Sequence, residues 1–137
     1  MQDKEIVAKA LEMVGKAYAP YSHFQVGAAV LAASGRLYGG ANVENASSGA
    51  TICAERSAII AAVNAGERKL TAIAVCGGKD GKVTDYCPPC GICRQVMQEF
   101  APELEVICLN GAGEAKTFTL KELLPYGFDG RWLPDEH

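Results

Sequence analysis

LTAIAVCGGKDGKVTDYCPPCGICRQVMQEFAPELEVICLN, residues 70–110, is the stretch that decides the fold. It opens with an apolar run, 70–77, of the kind a sheet buries on both faces. A loop of glycine, lysine, aspartate and proline follows at 78–89. CGICRQVMQEF (90–100) reads as a helix stopped by Ala101-Pro102, and EVICLN (105–110) as a second buried strand. Strand, helix, strand makes a βαβ unit with a right-handed crossover. Three thiols, Cys87, Cys90 and Cys93, sit where its loop turns into helix.

Upstream, CAERSAIIAAVNAG (53–66) predicts an alanine-rich helix closed by Gly66. VGAAVLA (26–32) and RLYGGANV (36–43) flank the tight turn SGR (34–36) and predict a hairpin. Residues 3–17 predict a helix with one apolar stripe, carried by Ile6, Val7, Ala10, Leu11 and Val14. Downstream, KTFTL (116–120) predicts a short edge strand and LKELL (120–124) a last short helix. A hairpin followed by βαβ units predicts one α/β domain over residues 1–137. It has three layers, α/β/α, around a mixed five-stranded sheet.

Composition narrows the class. With 49% hydrophobic and 21% charged residues, the 137-residue chain reads as soluble and globular. A net charge of −3 gives no attraction to a phosphate backbone, which argues against a polynucleotide partner. The first residues, MQDKEIVAKALEMVGK, are charged throughout and lack the apolar core of a signal peptide. No apolar run reaches the ~18 residues of a membrane span. The expectation is a cytoplasmic protein with no membrane partner, whose thiols stay reduced. Clustered cysteines then read as metal ligands or reactive groups rather than disulfides.

Cys53 opens one helix and Cys90 the other, with Cys93 one turn further along the same face. Helix N-termini carry partial positive charge and favour the thiolate, the form that binds metal. Both helices follow loops at the same end of their strands, so their starts can converge. Three thiolates leave a tetrahedral zinc one ligand short, which marks a catalytic rather than a structural site. Glu55, two residues after Cys53, is the candidate proton carrier at the open side. Its offset of ~200° on a wound helix would turn it from the Cys53 face, unless the first turn lets it curl over. The rival arrangement adds Cys87 to give a closed four-sulfur structural site and a non-enzymatic binding module. It leaves Glu55 without a role. Arg56 reads either as a surface charge or as a donor to thiolate sulfur. Cys76 and Cys108 lie in apolar strands and read as packing.

Cys53-Ala-Glu55 followed by Pro89-Cys90-x-x-Cys93 is the signature of zinc nucleobase deaminases. YSHFQVGAAV (21–30), NVENAS (42–47), CAERSA (53–58), PCGICRQ (89–95) and LLPYGF (123–128) extend it. The chain resembles the small tetrameric cytidine deaminases of nucleoside salvage over nearly its whole length. The resemblance implies a cytidine deaminase-like fold and a Zn2+ cofactor on Cys53, Cys90 and Cys93. It implies Glu55 as proton shuttle and Arg56 as donor to the thiolates. The substrate would be a small nucleoside, cytidine or deoxycytidine, converted to the uracil nucleoside with release of ammonia. By the same resemblance Asn42 and Glu44 hold the sugar and Phe24 packs on the base. Ala54 contributes through its backbone, and Phe128 reaches an adjacent active site in a homotetramer, with a dimer as the alternative. Three departures stand out. Ser48-Gly49 replaces the usual aromatic after NVENAS, Pro88 replaces the usual serine, and loop 78–89 is long. The first admits another amine, blasticidin S or a related amino-heterocycle, as the alternative substrate.

Overall fold

Five strands pair into one sheet in the order β2-β1-β3-β4-β5: β1 (Phe24–Ala32), β2 (Leu37–Ala41), β3 (Leu70–Lys79), β4 (Glu105–Leu109) and β5 (Ala115–Thr119). The computed structural model describes residues 2–133. β1 runs antiparallel to both β2 and β3, β3 is parallel to β4, and β5 closes the edge antiparallel to β4. The 70–110 segment is therefore the βαβ unit its pattern predicts. β2 also runs in the direction of β3, with β1 between them, so α2 (Ala54–Asn64) spans a second crossover.

Period-two alternation sorts the strands between two apolar layers. Val26, Val30, Ile73, Val75 and Val106 face α2 and α3 (Gly91–Phe100). Ala29, Ala74 and Ile107 face α1 (Gln2–Val14), which brings Ile6, Ala10 and Val14. Helices thus cover both faces of the sheet. Cys76 and Cys108 fall on opposite faces with no exposure, and burial pushes each thiol up to about 11. They pack, as the apolar runs around them predict.

Several boundaries differ from the sequence expectation, and β2 is trimmed from 36–43 to Leu37–Ala41. The first helix ends at Val14 rather than residue 17. Tyr18 leaves to bridge Val43, its N–H donating to the Asn42 carbonyl at 2.9 Å. β1 and β3 each run two residues further toward the site than predicted, because Phe24 pairs with Lys79. Cys53 and Cys90 cap their helices in extended backbone instead of forming the first helical residues.

Glycine sets how closely the helices approach. A Cβ at Gly40 would lie 2.3 Å from the Ala58 nitrogen and 2.6 Å from the Ala54 carbonyl. The first turns of α2 therefore rest directly on β2. Gly40→Ala is expected to cost about 2 kcal/mol and to lower metal content by pushing Cys53 out of register. Thermal unfolding with metal analysis checks this, and an unchanged midpoint would refute it.

Candidate metal centre and active site

The two crossovers bring their helix starts together at one end of the sheet. Cys53 caps α2 and Cys90 caps α3, with Cys93 in the first turn of α3. Cys53 Sγ lies 3.8 Å from Cys90 Sγ, which lies 3.5 Å from Cys93 Sγ. All three sulfurs fall within 4.8 Å of one another. A tetrahedral zinc with bonds near ~2.3 Å needs sulfurs ~3.8 Å apart, so the donor set fits zinc in both chemistry and spacing. Among the described residues, Cys87 does not join the cluster. Burial pushes its thiol up to about 12, which keeps it protonated.

The sulfurs are electrostatically unequal. Hydrogen bonds from Cys93, Arg56 and Cys90 bring Cys53 down to about 5, while Cys93 is driven upward by its bond to Cys53 and by burial. Cys53 therefore ionises more readily than Cys93. Arg56 Nη2 donates to its sulfur at 3.4 Å. Among the described residues, the buried Arg56 Nε finds no hydrogen-bond partner.

A cavity of about 170 Å3 opens beside the cluster, walled by Cys53, Ala54, Glu55, Cys87, Pro88 and Cys90 together with Val26, Asn42 and Thr51. Glu55 is only 4% exposed. Burial raises its carboxyl to about 7, and the charge on Cys53 adds to the rise. The ~200° rotation expected between positions 53 and 55 does not arise, because Cys53 stands outside the helical turns with ψ near 154°. A larger hollow of about 570 Å3 lies between α3 and residues 121–131 and, among the described residues, shares no wall residue with the sulfur site.

The remaining candidates divide. Asn42 is 8% exposed and reaches the cavity, yet its amide also braces β1: Nδ2 donates to the Phe24 carbonyl at 2.9 Å and Oδ1 accepts from the Val26 N–H at 2.8 Å. Glu44 accepts from the N–H groups of Tyr21 and Ser22 at 3.0 and 3.1 Å and from the Ser22 hydroxyl. Those bonds from Ser22 hold its carboxyl below the usual range. Among the described residues, Glu44, Phe24 and Phe128 do not wall the cavity. Both rings are exposed, and the Phe128 carbonyl accepts from Gln95 Nε2 at 2.6 Å. Ser48–Ala50 forms an exposed 3-10 turn. The Tyr86 ring lies under Lys116 Nζ, 5.4 Å from its centroid.

Two residues gain roles that the sequence reading did not give them. Thr51 enters the cavity wall while its hydroxyl accepts the Asn45 N–H at 3.2 Å. Arg94, which reads as a helix-surface charge, donates to the carbonyls of Pro89 and Leu123, both at 2.8 Å. Its place in PCGICRQ, four residues after Cys90 and so about one helical turn along, is the signal that could have found it.

The family model for the cytidine and deoxycytidylate deaminase zinc-binding region matches residues 1–109. A cytidine deaminase of Halalkalibacterium halodurans is 43% identical over 136 residues, covering 98% of this chain and 100% of that protein. One from Sporosarcina psychrophila is 40% identical, covering 93% and 92%. Among solved structures, the cytidine deaminase of Burkholderia pseudomallei is 43% identical with a TM-score of 0.86, covering 93% of this chain and 100% of that one. That of Mycobacterium tuberculosis is 37% identical with a TM-score of 0.79, covering 93% and 98%.

Proposed function

This chain belongs to the cytidine and deoxycytidylate deaminase family, and we propose that it hydrolyses cytidine and deoxycytidine to uridine and deoxyuridine with release of ammonia. The observation that carries the reading is a buried carboxyl, Glu55, on the wall of a cavity shared with two members of a three-sulfur cluster. Cys53, Cys90 and Cys93 would hold zinc, which supplies Lewis-acid activation of a water when bound.

Glu55 takes a proton from that water as its oxygen bonds to C4 of the pyrimidine, and delivers the proton to N3. It then carries the proton of the new C4 hydroxyl to the amino group. The C4–N bond breaks, ammonia leaves, and C4 becomes a carbonyl. A carboxyl whose affinity for protons lies near neutrality suits both directions of transfer. Arg56 offsets the negative charge of the thiolates by donating to Cys53. Asn42 and Glu44 meet the sugar with the hydrogen-bonding capacity left over from bracing their loops. Ala54 offers backbone groups to the base edge.

The exposed rings of Phe24 and Phe128 suit a homotetramer in which one protomer's tail completes its neighbour's pocket. Ligand thiols need a reducing compartment, consistent with cytoplasmic nucleoside salvage. Among the described residues, no helix is long and apolar enough to cross a membrane. An assay of ammonia release from cytidine, deoxycytidine and blasticidin S tests the reading. Both nucleosides are expected to react, to stop reacting with a chelator, and to recover with added zinc. Ammonia from blasticidin S with none from cytidine would reverse the assignment.

A further inference from the structure

We infer that Arg94 is a positioning residue that ties the C-terminal segment bearing Phe128 to the metal ligand Cys90; the inference rests on the metal-site reading above. Arg94 holds the peptides on both sides of Cys90. Its backbone N–H donates to the Cys90 carbonyl at 3.0 Å, and its Nε donates to the Pro89 carbonyl at 2.8 Å. The two peptide planes that meet at the Cys90 Cα are thus bound to one residue. Those planes set the backbone torsions that aim the sulfur. Pro89 is fully buried, whereas Cys90 is exposed and its side chain makes no capping bond to its own helix. The aim of Cys90 Sγ therefore depends on how the adjoining peptides are held.

The same guanidinium reaches away from the cluster. Nη1 donates to the carbonyl of Leu123, the last residue of α4 (Leu120–Leu123), at 2.8 Å. A cation satisfies a carbonyl that a helix end leaves without an intrahelical partner. The next α3 residues continue the docking. Gln95 Nε2 donates to the Phe128 carbonyl at 2.6 Å, and Gln98 Nε2 to Asp129 Oδ2 at 3.0 Å. Three side chains of one helix thus hold the tail, and Arg94 alone of the three also bonds the peptide before a ligand. Its donors sit in a rigid planar fork, so moving one carbonyl moves the constraint on the other. Lysine, with a compact ammonium on a flexible stem, lacks that fork. The coupling is reciprocal: metal on the sulfurs stiffens the tail, and a docked tail steadies the metal.

Amide hydrogen exchange on the full chain, zinc-loaded and chelated, tests this in wild type, Arg94→Ala and Arg94→Lys. In wild type, chelation is expected to speed exchange across residues 124–129 by ~10-fold or more. In Arg94→Ala, exchange there is fast with or without zinc, and Arg94→Lys restores part of the dependence. Cobalt-loaded Arg94→Ala should show shifted ligand-field bands and release metal ~10-fold to 100-fold faster than wild type, the range typical of losing a ligand's outer partner. Should the alanine variant fail to fold, the lysine variant carries the same comparison. Tail exchange that still responds to metal in both variants as it does in wild type overturns the proposal. So does exchange in wild type that ignores metal while cobalt sits in a sulfur site. A wild-type chain that takes up no cobalt sinks the metal reading itself, and this coupling with it.

Discussion

Glu55→Gln is expected to lower kcat by at least ~10²-fold while zinc stays bound, and to make the metal-free protein more stable above neutral pH. The amide keeps the size and hydrogen-bonding reach of the carboxyl but cannot carry a proton between water, ring and leaving group. The gain in stability comes from burial. Folding raises the Glu55 carboxyl from 4.5 to about 7, so the folded protein binds this proton more tightly than the unfolded chain. The neutral group's contribution is complete below pH 4.5 and is lost as pH rises through 7. At about 1.4 kcal/mol per pH unit, ionising Glu55 costs the metal-free fold roughly 3 kcal/mol by pH 8, and glutamine escapes that cost. Denaturant titrations of both proteins at pH 4 and pH 8 check the sign. The curves should nearly coincide at the lower pH and separate at the higher. A variant that keeps wild-type turnover removes Glu55 from the chemistry. A variant no more stable at pH 8 shows that its carboxyl is not held neutral by burial.

Cys90→Ser is the second large effect. It removes one of three soft donors, and zinc affinity is expected to fall by more than ~10²-fold, beyond the loss typical of an outer partner. Activity disappears at ordinary zinc concentrations. The melting temperature falls toward that of chelated wild type: an ion present at ~1,000 times its dissociation constant stabilises the folded state by about 4 kcal/mol, and a site ~10²-fold weaker keeps at most about 1.4 kcal/mol of that. Cys87→Ser serves as the control. Its sulfur stands apart from the cluster, so bound zinc should remain stoichiometric. Equal loss from the two variants would restore the four-sulfur arrangement and remove the open position on which hydrolysis depends.

Much of this site was legible in the chain because it rests on local rules. An apolar run, a glycine-rich loop and a helix that begins with cysteine are short-range patterns, and two of them in order place two helix starts at one end of a parallel pair. Cys53, Cys90, Cys93 and Glu55 were accessible in that way. Asn42 and Glu44 were harder to read, since an amide or carboxylate that braces a neighbouring loop looks the same in sequence as one that awaits a sugar. In the fold both already bond backbone, through partners 16 to 23 residues away. The role of Arg94 was not legible, because its second acceptor, Leu123, lies 29 residues downstream and no periodicity links the two. Helix and strand ends moved where a distant partner extended or ended the pairing, as Lys79 does for Phe24.

Cys53 and Cys90 stand 37 residues apart, with β3 between them. A chain still emerging from the ribosome carries only one sulfur of the three until β3 and the start of α3 have been made. The three-sulfur cluster is therefore complete only when both helix starts stand together. An enzyme molecule that retains its ion has already brought its two helix starts together.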